Sequence, residues 1–329
     1  MSVKNEILSI LEKNQNTAIS GQDMANQLGV TRAAVWKGIN SLKSQGYTIT
    51  ATTNKGYVLS SHSDVLTTTG IRDFLGEKYK NTNIEILDTV DSTNTYAKNL
   101  ALKKAPHHTI ISAMEQTAAR GRQGRSFFSP KDTGIYMSLI LRPQESLDKA
   151  LLLTVAAAVG VSQAIEEATN ISPQIKWVND IFFNGKKVGG ILTEAISDFE
   201  SNSLEAVIIG IGINLKTQAQ DFPPELQPIA TSLLIPQLTR NQLIGTIATN
   251  IFDLTENLNP DSLIAAYKKR SLVLGKEITF QKNGTTHHAT VLDINEKGNL
   301  VVKTCKGTEI LQSGEITLGS ENYCNAPRD

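Results

Sequence analysis

The sequence predicts an α+β protein that is divided into several domains. Its 329 residues exceed the usual length of one domain, which excludes a single small module. Three helical segments and a hairpin come first, longer strands and helices follow, and short strands separated by glycine turns come last. We therefore expect a helical head at 1–63, a central α+β domain at 64–270 and a small C-terminal β-barrel at 271–329.

Composition excludes several classes of protein. The chain is 40% hydrophobic and 19% charged, which is typical of a soluble globular protein and not of a disordered one. Its 32 basic and 32 acidic residues cancel, so it is not a polycation that coats nucleic acid or an anionic membrane. The basic excess lies at the N-terminus, where residues 1–63 hold six basic and three acidic side chains, a charge of +3.

The sequence also bears on location and metal content. Residues 151–161 form the longest apolar stretch, shorter than the ~20 residues of a membrane span. The first ten residues lack the pattern of a secretion signal. Only Cys305 and Cys324 could form a disulfide, and the five histidines lack the spacing of a zinc site. We expect a cytoplasmic protein with no membrane span and no metal held by His or Cys.

The first sixty residues have the pattern of a winged helix-turn-helix. A helix is predicted around Ile7–Leu11, and Ser20 is a suitable cap for a second, short helix that ends at Gly29. A third helix opens at Thr31, because Val35, Ile39 and Leu42 then share one face. Beyond it, an alternating segment interrupted at Asn54-Lys55-Gly56 predicts a hairpin wing.

Side chains on the outer face of the third helix are of types that contact DNA. The helix-turn-helix, Gly21–Asn40, is expected to enter a groove, and Lys55 on the wing to reach the phosphate backbone. The alternative is a three-helix packing module with a solvated basic face. A charge of only +3 suggests that tight, specific binding needs a dimer. The residues assigned to DNA on the third helix are Thr31, Arg32, Trp36 and Lys37.

The central domain is expected to begin with a linker over 64–83 that contains one short helix near Ile71–Leu75. A strand over Ile84–Val90 then runs into the polar cluster Asp91-Ser92-Thr93-Asn94. These short side chains can cap the following helix, Tyr96–Lys103, and can also hydrogen-bond a small ligand. Capping alone is the alternative.

A loop rich in arginine and glycine follows the strand Thr109–Met114. Guanidinium groups and exposed amides of such a loop can converge on a phosphate or a carboxylate. A solvated basic loop is the alternative. The sequence contains neither G-x-x-x-x-G-K-[ST] nor G-x-G-x-x-G, so a phosphate held here is not bound by a P-loop or a Rossmann turn. The residues concerned are Gln116, Arg120, Gly121, Arg122, Gly124, Arg125, Phe127 and Phe128.

A hairpin in the second half of the domain carries opposite charges. After a predicted strand over 135–142 and an apolar helix over 149–168, Asn184-Gly185 lies between apolar strands, a strong hairpin signal that sets Asp180 before the turn and Lys187 after it. Gly189 and Gly190 let another group approach the second strand closely. Without these glycines, Lys187 would be an ordinary surface lysine. The next strand, 205–215, contains Gly210, Gly212 and Asn214.

Short alternating strands predict an all-β C-terminal domain. After a helix over 263–270, strands are expected at 275–280, 287–295, 299–305 and 309–313, with turns at Asn283-Gly284, Lys297-Gly298 and Lys306-Gly307. His287 and His288 would point to opposite faces of a strand and do not suggest a site. The last ten residues are expected to form a frayed tail.

The motifs resemble those of one family over the chain to about residue 320. The helix-turn-helix, DSTN, Q-x-x-x-R-G-R-x-G-R, KWVND, KKVGGIL and GIGIN, in this order and spacing, are similar to the bifunctional biotin protein ligases of the BirA type, the biotin operon repressors. The family's G-R-G-R-R-G is represented here by Ala119-Arg120-Gly121-Arg122-Gln123-Gly124. The resemblance implies a central mixed sheet like that of class II aminoacyl-tRNA synthetases and a C-terminal SH3-like barrel.

The resemblance also implies an activity and a set of ligands. The substrates would be ATP and biotin, with Mg²⁺ on the phosphates assisted by Asp180. The partners would be a biotin carboxyl carrier protein of acetyl-CoA carboxylase, operator DNA and a second copy of the chain. Biotin would contact Ser92, Thr93, Asn94, Gln116, Arg120, Gly121, Arg122, Lys187 and Gly190. ATP and the adenylate would contact Arg120, Arg122, Arg125, Phe127, Asn179, Asp180 and Asn214.

Adenylation explains the charges of these residues. A carboxylate that attacks the α-phosphate of ATP brings two anions together, and Arg122 and Lys187 are suitable cations to screen them. Closure of the 116–130 loop, with Phe127 or Phe128 as an apolar cover, would protect the mixed anhydride from water. Two other functions stay open: a regulator that senses a small acid without ligase activity, and a lipoate-type ligase. The presence of both Arg122 and Lys187 argues against the first, and the helix-turn-helix with the GRxG loop argues against the second.

Overall fold

The structure is a computed structural model that describes residues 2–14, 16–44, 46–52, 55–60, 63–143, 150–198, 203–282 and 284–318. Several sequence-based expectations fall outside these residues. They concern the turn positions Asn54 and Asn283, the start of the apolar helix at Lys149, Cys324 and the frayed tail.

The N-terminal residues form a winged helix-turn-helix, as predicted. Ser20 caps the second helix by accepting a hydrogen bond from the Asp23 amide at 3.0 Å, and Gly29 ends it with φ of 65°. Ile7 and Ile39 are fully buried in the core of this domain. The elements are α1 Val3–Lys13, α2 Gly21–Leu28, α3 Arg32–Ser44, β1 Ile49–Thr52 and β2 Gly56–Leu59.

A seven-stranded mixed sheet forms the centre of the molecule. Its strand order is β3-β4-β5-β9-β8-β7-β6, and only the β3–β4 pair is parallel among the described strands. The α+β class that the sequence predicts and the mixed sheet that the resemblance implies are both confirmed. The strands are β3 Ile84–Val90, β4 Thr109–Gln116, β5 Gly134–Leu141, β6 Gln174–Lys176, β7 Asp180–Phe183, β8 Lys186–Asp198 and β9 Ser203–Asn214.

Helices cover both faces of this sheet. One face packs on α6, α7 and α8, and the other on α5, whose Ala97 and Ala101 contact Ile111, Ile140 and Ile208. Strand residues alternate between the faces, so Ser138 points toward α5 while its neighbours on β5 point toward α6. The helices are α4 Thr68–Asp73, α5 Thr93–Leu102, α6 Ala150–Thr169, α7 Arg240–Glu256 and α8 Pro260–Lys269.

Helix α6 is apolar on nearly every side because it is the core helix of the domain. It is long and apolar enough to cross a membrane by length and composition, but 67% of the residues in its apolar window are buried inside the protein. Val155 and Val159 are fully buried in the main core, which α6 shares with the sheet and α7. This burial explains its composition without a membrane.

The segment 64–83 is packed and not a free linker. Leu66, Ile71 and Tyr79 are buried in the main core. Asp64 binds the buried Arg240, which donates its backbone amide at 2.6 Å and its Nε at 3.1 Å to the carboxylate. The sequence-based expectation of a linker was therefore wrong here, because α7, which carries Arg240 and was not predicted, supplies the surface that 64–83 covers.

The C-terminal domain is a five-stranded antiparallel sheet, one strand more than predicted. Its order is β13-β12-β11-β10-β14, and the additional strand β14 pairs with β10. The domain packs against the central one, since the Trp177 Nε1 donates to the Gly298 carbonyl at 2.9 Å. The strands are β10 Glu277–Lys282, β11 Thr285–Ile294, β12 Leu300–Thr304, β13 Gly307–Leu311 and β14 Ile316–Leu318.

Candidate active site

A single pocket collects most of the residues that the sequence analysis selected for biotin and the adenylate. It lies on the α5 face of the central sheet, between the start of α5, the 116–130 loop, the β7–β8 hairpin and the segment before β14. The selected residues that line it are Ser92, Thr93, Asn94, Gln116, Arg120, Gly121, Arg122, Arg125, Phe127, Asn179, Asp180, Lys187 and Gly190.

Glycines on β8 and β9 form the floor of the pocket. Gly190 pairs with Gly212, so both lie on the same sheet face as Gly210. A Cβ at Gly210 would lie 2.2 Å from the Asn94 Oδ1, and one at Gly212 would lie 2.6 Å from the Phe127 ring. The side chains of Asn94 and Phe127 therefore approach these two glycines closely and complete the floor of the pocket.

Polar side chains at the start of α5 are buried and mutually hydrogen-bonded. The Gln116 Oε1 accepts from the Thr93 amide at 2.9 Å, and the Gln116 Nε2 donates to the Ser129 hydroxyl at 3.2 Å. Ser92 both lines the pocket and caps α5, since its hydroxyl accepts from the Thr95 amide at 3.5 Å. The cluster therefore combines the capping and the ligand-facing roles that the sequence left as alternatives.

The arginine-glycine loop forms a tight turn over the pocket. The Gly121 amide donates to the Arg125 carbonyl at 2.7 Å, which closes the turn. Gln123 adopts φ of 55° and Gly124 φ of 75°. Gln123 thus has a left-handed backbone conformation that glycine adopts at lower cost. Ala119, at the first position of the family's G-R-G-R-R-G motif, is buried.

Arg122 and Arg125 are held by residues from two other parts of the chain. The Arg122 Nη1 donates to the Asn179 Oδ1 at 3.1 Å, and the Asn179 Nδ2 donates in turn to the Ile191 carbonyl at 2.6 Å. Arg125 forms an ion pair with Glu315, which belongs to the C-terminal domain. The loop is thereby tied to the hairpin on one side and to the C-terminal domain on the other.

The β7–β8 hairpin contributes an ion pair to the lining of the pocket. The Lys187 Nζ lies 2.7 Å from the Asp180 Oδ1, across the turn that Asn184 and Gly185 make with φ of 49° and 75°.

Burial lowers the pKa of Lys176, and the nearby Asp180 carboxylate opposes that shift. Arginines and lysines outnumber carboxylates around this pocket, so it favours an anion.

Some assignments fall outside this pocket and some pocket residues were missed. Asn214 does not line the pocket, because it ends β9 and its Nδ2 donates to the Thr231 carbonyl at 3.1 Å. Phe128 packs toward Phe222 and leaves Phe127 as the aromatic side chain of the loop in the pocket. Glu315 also lines it, and no local pattern could reveal this, since 190 residues separate it from Arg125.

The candidate DNA-binding residues are all exposed to solvent. Thr31, Arg32 and Lys37 are exposed on and just before α3, and Lys55 is exposed on the wing. Trp36 is 58% exposed, although an aromatic ring of this size is usually buried in a domain core. The other face of α3 is buried against α1, where a Cβ at Gly38 would lie 2.5 Å from the Ile7 Cδ1.

Three family models match separate segments of the chain. Residues 86–214 match the biotin/lipoate A/B protein ligase family, residues 3–58 an HTH domain, and residues 273–319 the biotin protein ligase C-terminal domain. The Bifunctional ligase/repressor BirA of Bacillus subtilis is 36% identical over 326 residues, covering 97% of this chain and 99% of that protein. The Biotin--[acetyl-CoA-carboxylase] ligase of Mycobacterium tuberculosis is 29% identical over 246 residues, covering 70% of this chain and 88% of that one.

A solved structure has a similar fold over most of the chain. The biotin protein ligase of Aquifex aeolicus, determined in complex with biotin and ATP, superposes with a TM-score of 0.60 at 30% identity. The match covers 72% of this chain and 98% of that one.

Proposed function

The chain belongs to the biotin/lipoate A/B protein ligase family, and from this premise we propose that it is a biotin–[acetyl-CoA-carboxylase] ligase that also acts as a transcriptional repressor. It activates biotin with ATP to biotinyl-5′-AMP and transfers the biotinyl group to a lysine of a biotin carboxyl carrier protein. One observation carries this proposal: Arg122 and Lys187 converge with the buried Ser92–Asn94 cluster in a single pocket.

In the first step, the biotin carboxylate attacks the α-phosphorus of ATP. A bond forms between a carboxylate oxygen and phosphorus, the bond to the β-phosphate oxygen breaks, and pyrophosphate leaves. Arg122 and Lys187 screen the repulsion between the two anions. Asn179 sets the position of Arg122 in advance, and Asp180 holds Lys187 until the substrates arrive. Asp180 must release Lys187 for this role, and the arriving anions supply the competing charge.

We assign the remaining pocket residues to the two halves of the intermediate. Those proposed for biotin are Ser92, Thr93, Asn94, Gln116, Arg120, Gly121, Arg122, Lys187 and Gly190. Those proposed for ATP and the adenylate are Arg120, Arg122, Arg125, Phe127, Asn179 and Asp180. Asn214, at the end of β9, supports the strand beside them.

Magnesium enters as part of the substrate, Mg–ATP. In the part of the chain that the structure describes, no group of three His, Cys, Asp or Glu side chains could hold a metal ion. A single carboxylate plus phosphate oxygens is nevertheless an ordinary coordination for Mg²⁺. Asp180, on the pocket wall beside Lys187, is the residue proposed to supply that carboxylate.

In the second step, the carrier lysine attacks the acyl carbon of biotinyl-5′-AMP. An amide bond forms, the acyl–phosphate oxygen bond breaks and AMP leaves with its electron pair. The intermediate must be kept from water until then. The 116–130 loop closes over it, and the Phe127 ring, already lying on Gly212, supplies an apolar cover.

The repressor function uses the exposed surface of α3. The adenylate-bound form dimerises and places two α3 helices on a palindromic operator of the biotin genes. Thr31, Arg32, Trp36 and Lys37 contact the groove, and Lys55 contacts the backbone. We assign this function to residues 1–63, ligation to 64–270 and loop support to 271–329, all in the cytoplasm.

The ligase proposal is tested by labelling a purified carboxyl carrier domain with biotin in the presence of Mg–ATP. We expect biotin on one carrier lysine and release of AMP and pyrophosphate in equal amounts. Transfer of lipoate in place of biotin would favour a lipoate-type ligase. A wild-type chain that binds biotin but forms no adenylate would be the small-acid sensor.

The repressor proposal is tested with the Arg32→Ala variant. Arg32 is exposed and distant in sequence from every pocket residue, so ligation should be unchanged. Operator binding should weaken strongly, and the slope of log K against log salt concentration for the remaining binding should fall by about one. Lys43→Ala, at the far end of α3, is the matched control. Loss of both activities in Arg32→Ala would indicate a folding role instead.

A further inference from the structure

Tyr267 on α8 is a fully buried tyrosine whose hydroxyl donates to the Val178 carbonyl at 3.0 Å. Tyr267 does not line the pocket, but Asn179, which follows Val178 in the chain, does. Burial raises the pKa of Tyr267 well above its ordinary value, and Asp180 adds to this shift while Arg122 opposes it. The phenol therefore keeps its proton at neutral pH, and its hydroxyl stays a donor to this carbonyl.

Asn179 is held at both of its peptide groups. The Val178 carbonyl that accepts from Tyr267 belongs to the peptide group on the N-terminal side of Asn179. On the C-terminal side, the Asn179 carbonyl accepts from the Ile191 amide of β8 at 2.9 Å. Because each peptide group is planar, fixing both carbonyls fixes the backbone on either side of the Asn179 Cα. Helix α8 and strand β8 together set the direction in which this side chain leaves the backbone.

The Asn179 side chain holds Arg122 in turn. Its Nδ2 donates to the Ile191 carbonyl at 2.6 Å, so its Oδ1 is the atom left to accept from another donor. The Arg122 Nη1 donates to that oxygen at 3.1 Å. Asn179 is buried, so close packing restricts other rotamers. The tyrosine hydroxyl and the guanidinium are thus connected through one peptide group and one side chain.

We infer that Tyr267 is a positioning residue for adenylation, which holds Asn179 where its side chain orients Arg122 toward the reacting anions. The inference rests on the proposed function, which gives Arg122 the role of screening those anions. Without the hydroxyl, the buried Val178 carbonyl loses the donor that the structure gives it, and its peptide group is free to turn. Arg122 is then less well placed when negative charge develops on the α-phosphate.

The experiment removes one hydroxyl with Tyr267→Phe in the full-length chain. A single turnover of biotinyl-5′-AMP formation from biotin and Mg–ATP is measured, because its amplitude reports the fraction of folded enzyme while its rate constant does not depend on that fraction. We expect the rate constant to fall by about 4- to 20-fold, the effect of leaving one buried acceptor unpaired.

Tyr79→Phe is the matched control for the loss of a buried hydroxyl. Tyr79 is 3% exposed, and its hydroxyl donates to the Asp253 Oδ1 at 2.9 Å. Neither of these residues lines the pocket. The rate constant for adenylation in this variant should equal that of wild type.

A second background separates positioning from a general loss of packing. Tyr267→Phe is repeated in the Arg122→Gln chain, where the cation that Tyr267 positions is absent. If Tyr267 acts through Arg122, the two changes are not additive, and the added substitution slows adenylation by no more than about 2-fold. A hydroxyl that only supports the fold would slow both backgrounds by the same factor.

Three results would overturn the inference. The first is a loss smaller than about 4-fold in Tyr267→Phe, and the second is a loss larger than about 2-fold when Tyr267→Phe is added to Arg122→Gln. The third is equal slowing in Tyr79→Phe. A wild-type chain that forms no adenylate would instead overturn the proposed function, so the two failures are distinguishable.

Discussion

Arg125 and Glu315 form a bidentate ion pair that joins the arginine-glycine loop to the C-terminal domain. The Nη1–Oε1 and Nη2–Oε2 distances are 2.5 and 2.6 Å, although the two residues are 190 positions apart. Because the side chains are 68% and 44% exposed, the pair adds less than about 1 kcal/mol to global stability. Its effect is local: it holds one side of the loop that covers the pocket.

Removing this pair should loosen the loop without unfolding the protein. In Glu315→Gln we expect trypsin to cleave after Arg120, Arg122 or Arg125 about 3- to 5-fold faster, with an unchanged melting temperature. Limited proteolysis followed by mass spectrometry measures the rate at each site. The control is Glu309→Gln, which breaks an exposed pair with Lys282 in the same domain. Equal cleavage rates in all three proteins would contradict the role of the pair.

Lys187 should be essential for adenylation while its neighbour Lys186 is not. The Lys187 Nζ faces the pocket beside Asp180, whereas the Lys186 Nζ donates to the Gln227 carbonyl on the exposed side of the hairpin. We expect Lys187→Gln to lower kcat/KM for adenylate formation by about 10²- to 10³-fold, as for other preorganised groups that stabilise transition-state charge. Pyrophosphate exchange measures this step directly. A similar loss in Lys186→Gln would mean that the hairpin as a whole had been disturbed.

Trp36 should contribute to DNA affinity and not to stability. Its side chain is 58% exposed on α3, so Trp36→Ala should change the free energy of unfolding by no more than about 0.5 kcal/mol. We expect about a 10-fold loss of affinity for an operator selected in vitro with the wild-type chain. The salt dependence should be unchanged, because no charge is removed. Leu102→Ala, an equally exposed apolar change on α5, should leave DNA binding intact.

Acid should destabilise the protein through His108, which lies at a buried cluster with Tyr79 and Phe252. Burial, with a smaller contribution from the neighbouring His107, lowers the pKa of His108 to about 4, although Glu256 opposes the shift. Its Nε2 has no hydrogen-bond partner among the described residues, although the Glu256 Oε1 lies 3.5 Å away. The unfolded chain takes up the proton at its ordinary pKa of 6.5. Stability from neutral His108 is therefore full above pH 6.5 and is lost as the pH falls toward 4.

The variant His108→Asn tests this linkage. Asparagine tolerates the φ of 67° at this position and does not titrate. Between pH 6.5 and 4.5, its loss of unfolding free energy should be smaller than that of wild type by about 2 kcal/mol, measured by urea titration. His288→Asn, at an exposed strand position, should keep the wild-type slope. The idea fails if wild type and His108→Asn lose stability in parallel.

Local chemistry made much of the fold predictable. Ser20 and Gly29 bound α2 because a hydroxyl cap and a left-handed glycine act on adjacent backbone atoms. Asn184 and Gly185 predicted the β7–β8 hairpin because two positive φ values suit that turn. Helix α7 was not predicted, although Thr239 caps it by accepting from the Gln242 amide at 3.2 Å.

The sequence by itself determined the order of the three segments along the chain, the helix-turn-helix and the strands that carry the motifs. It also determined which arginine and lysine side chains suit a reaction between two anions. All of these depend on residues close together in the chain. Only the tertiary structure decided that Glu315 reaches Arg125, that 64–83 is packed against α7, and that Asn94 donates to Glu194, 100 positions away. Such contacts depend on strand order and domain packing, where the chain entropy of long loops is overcome by burial of the shared core. Neither effect leaves a local pattern.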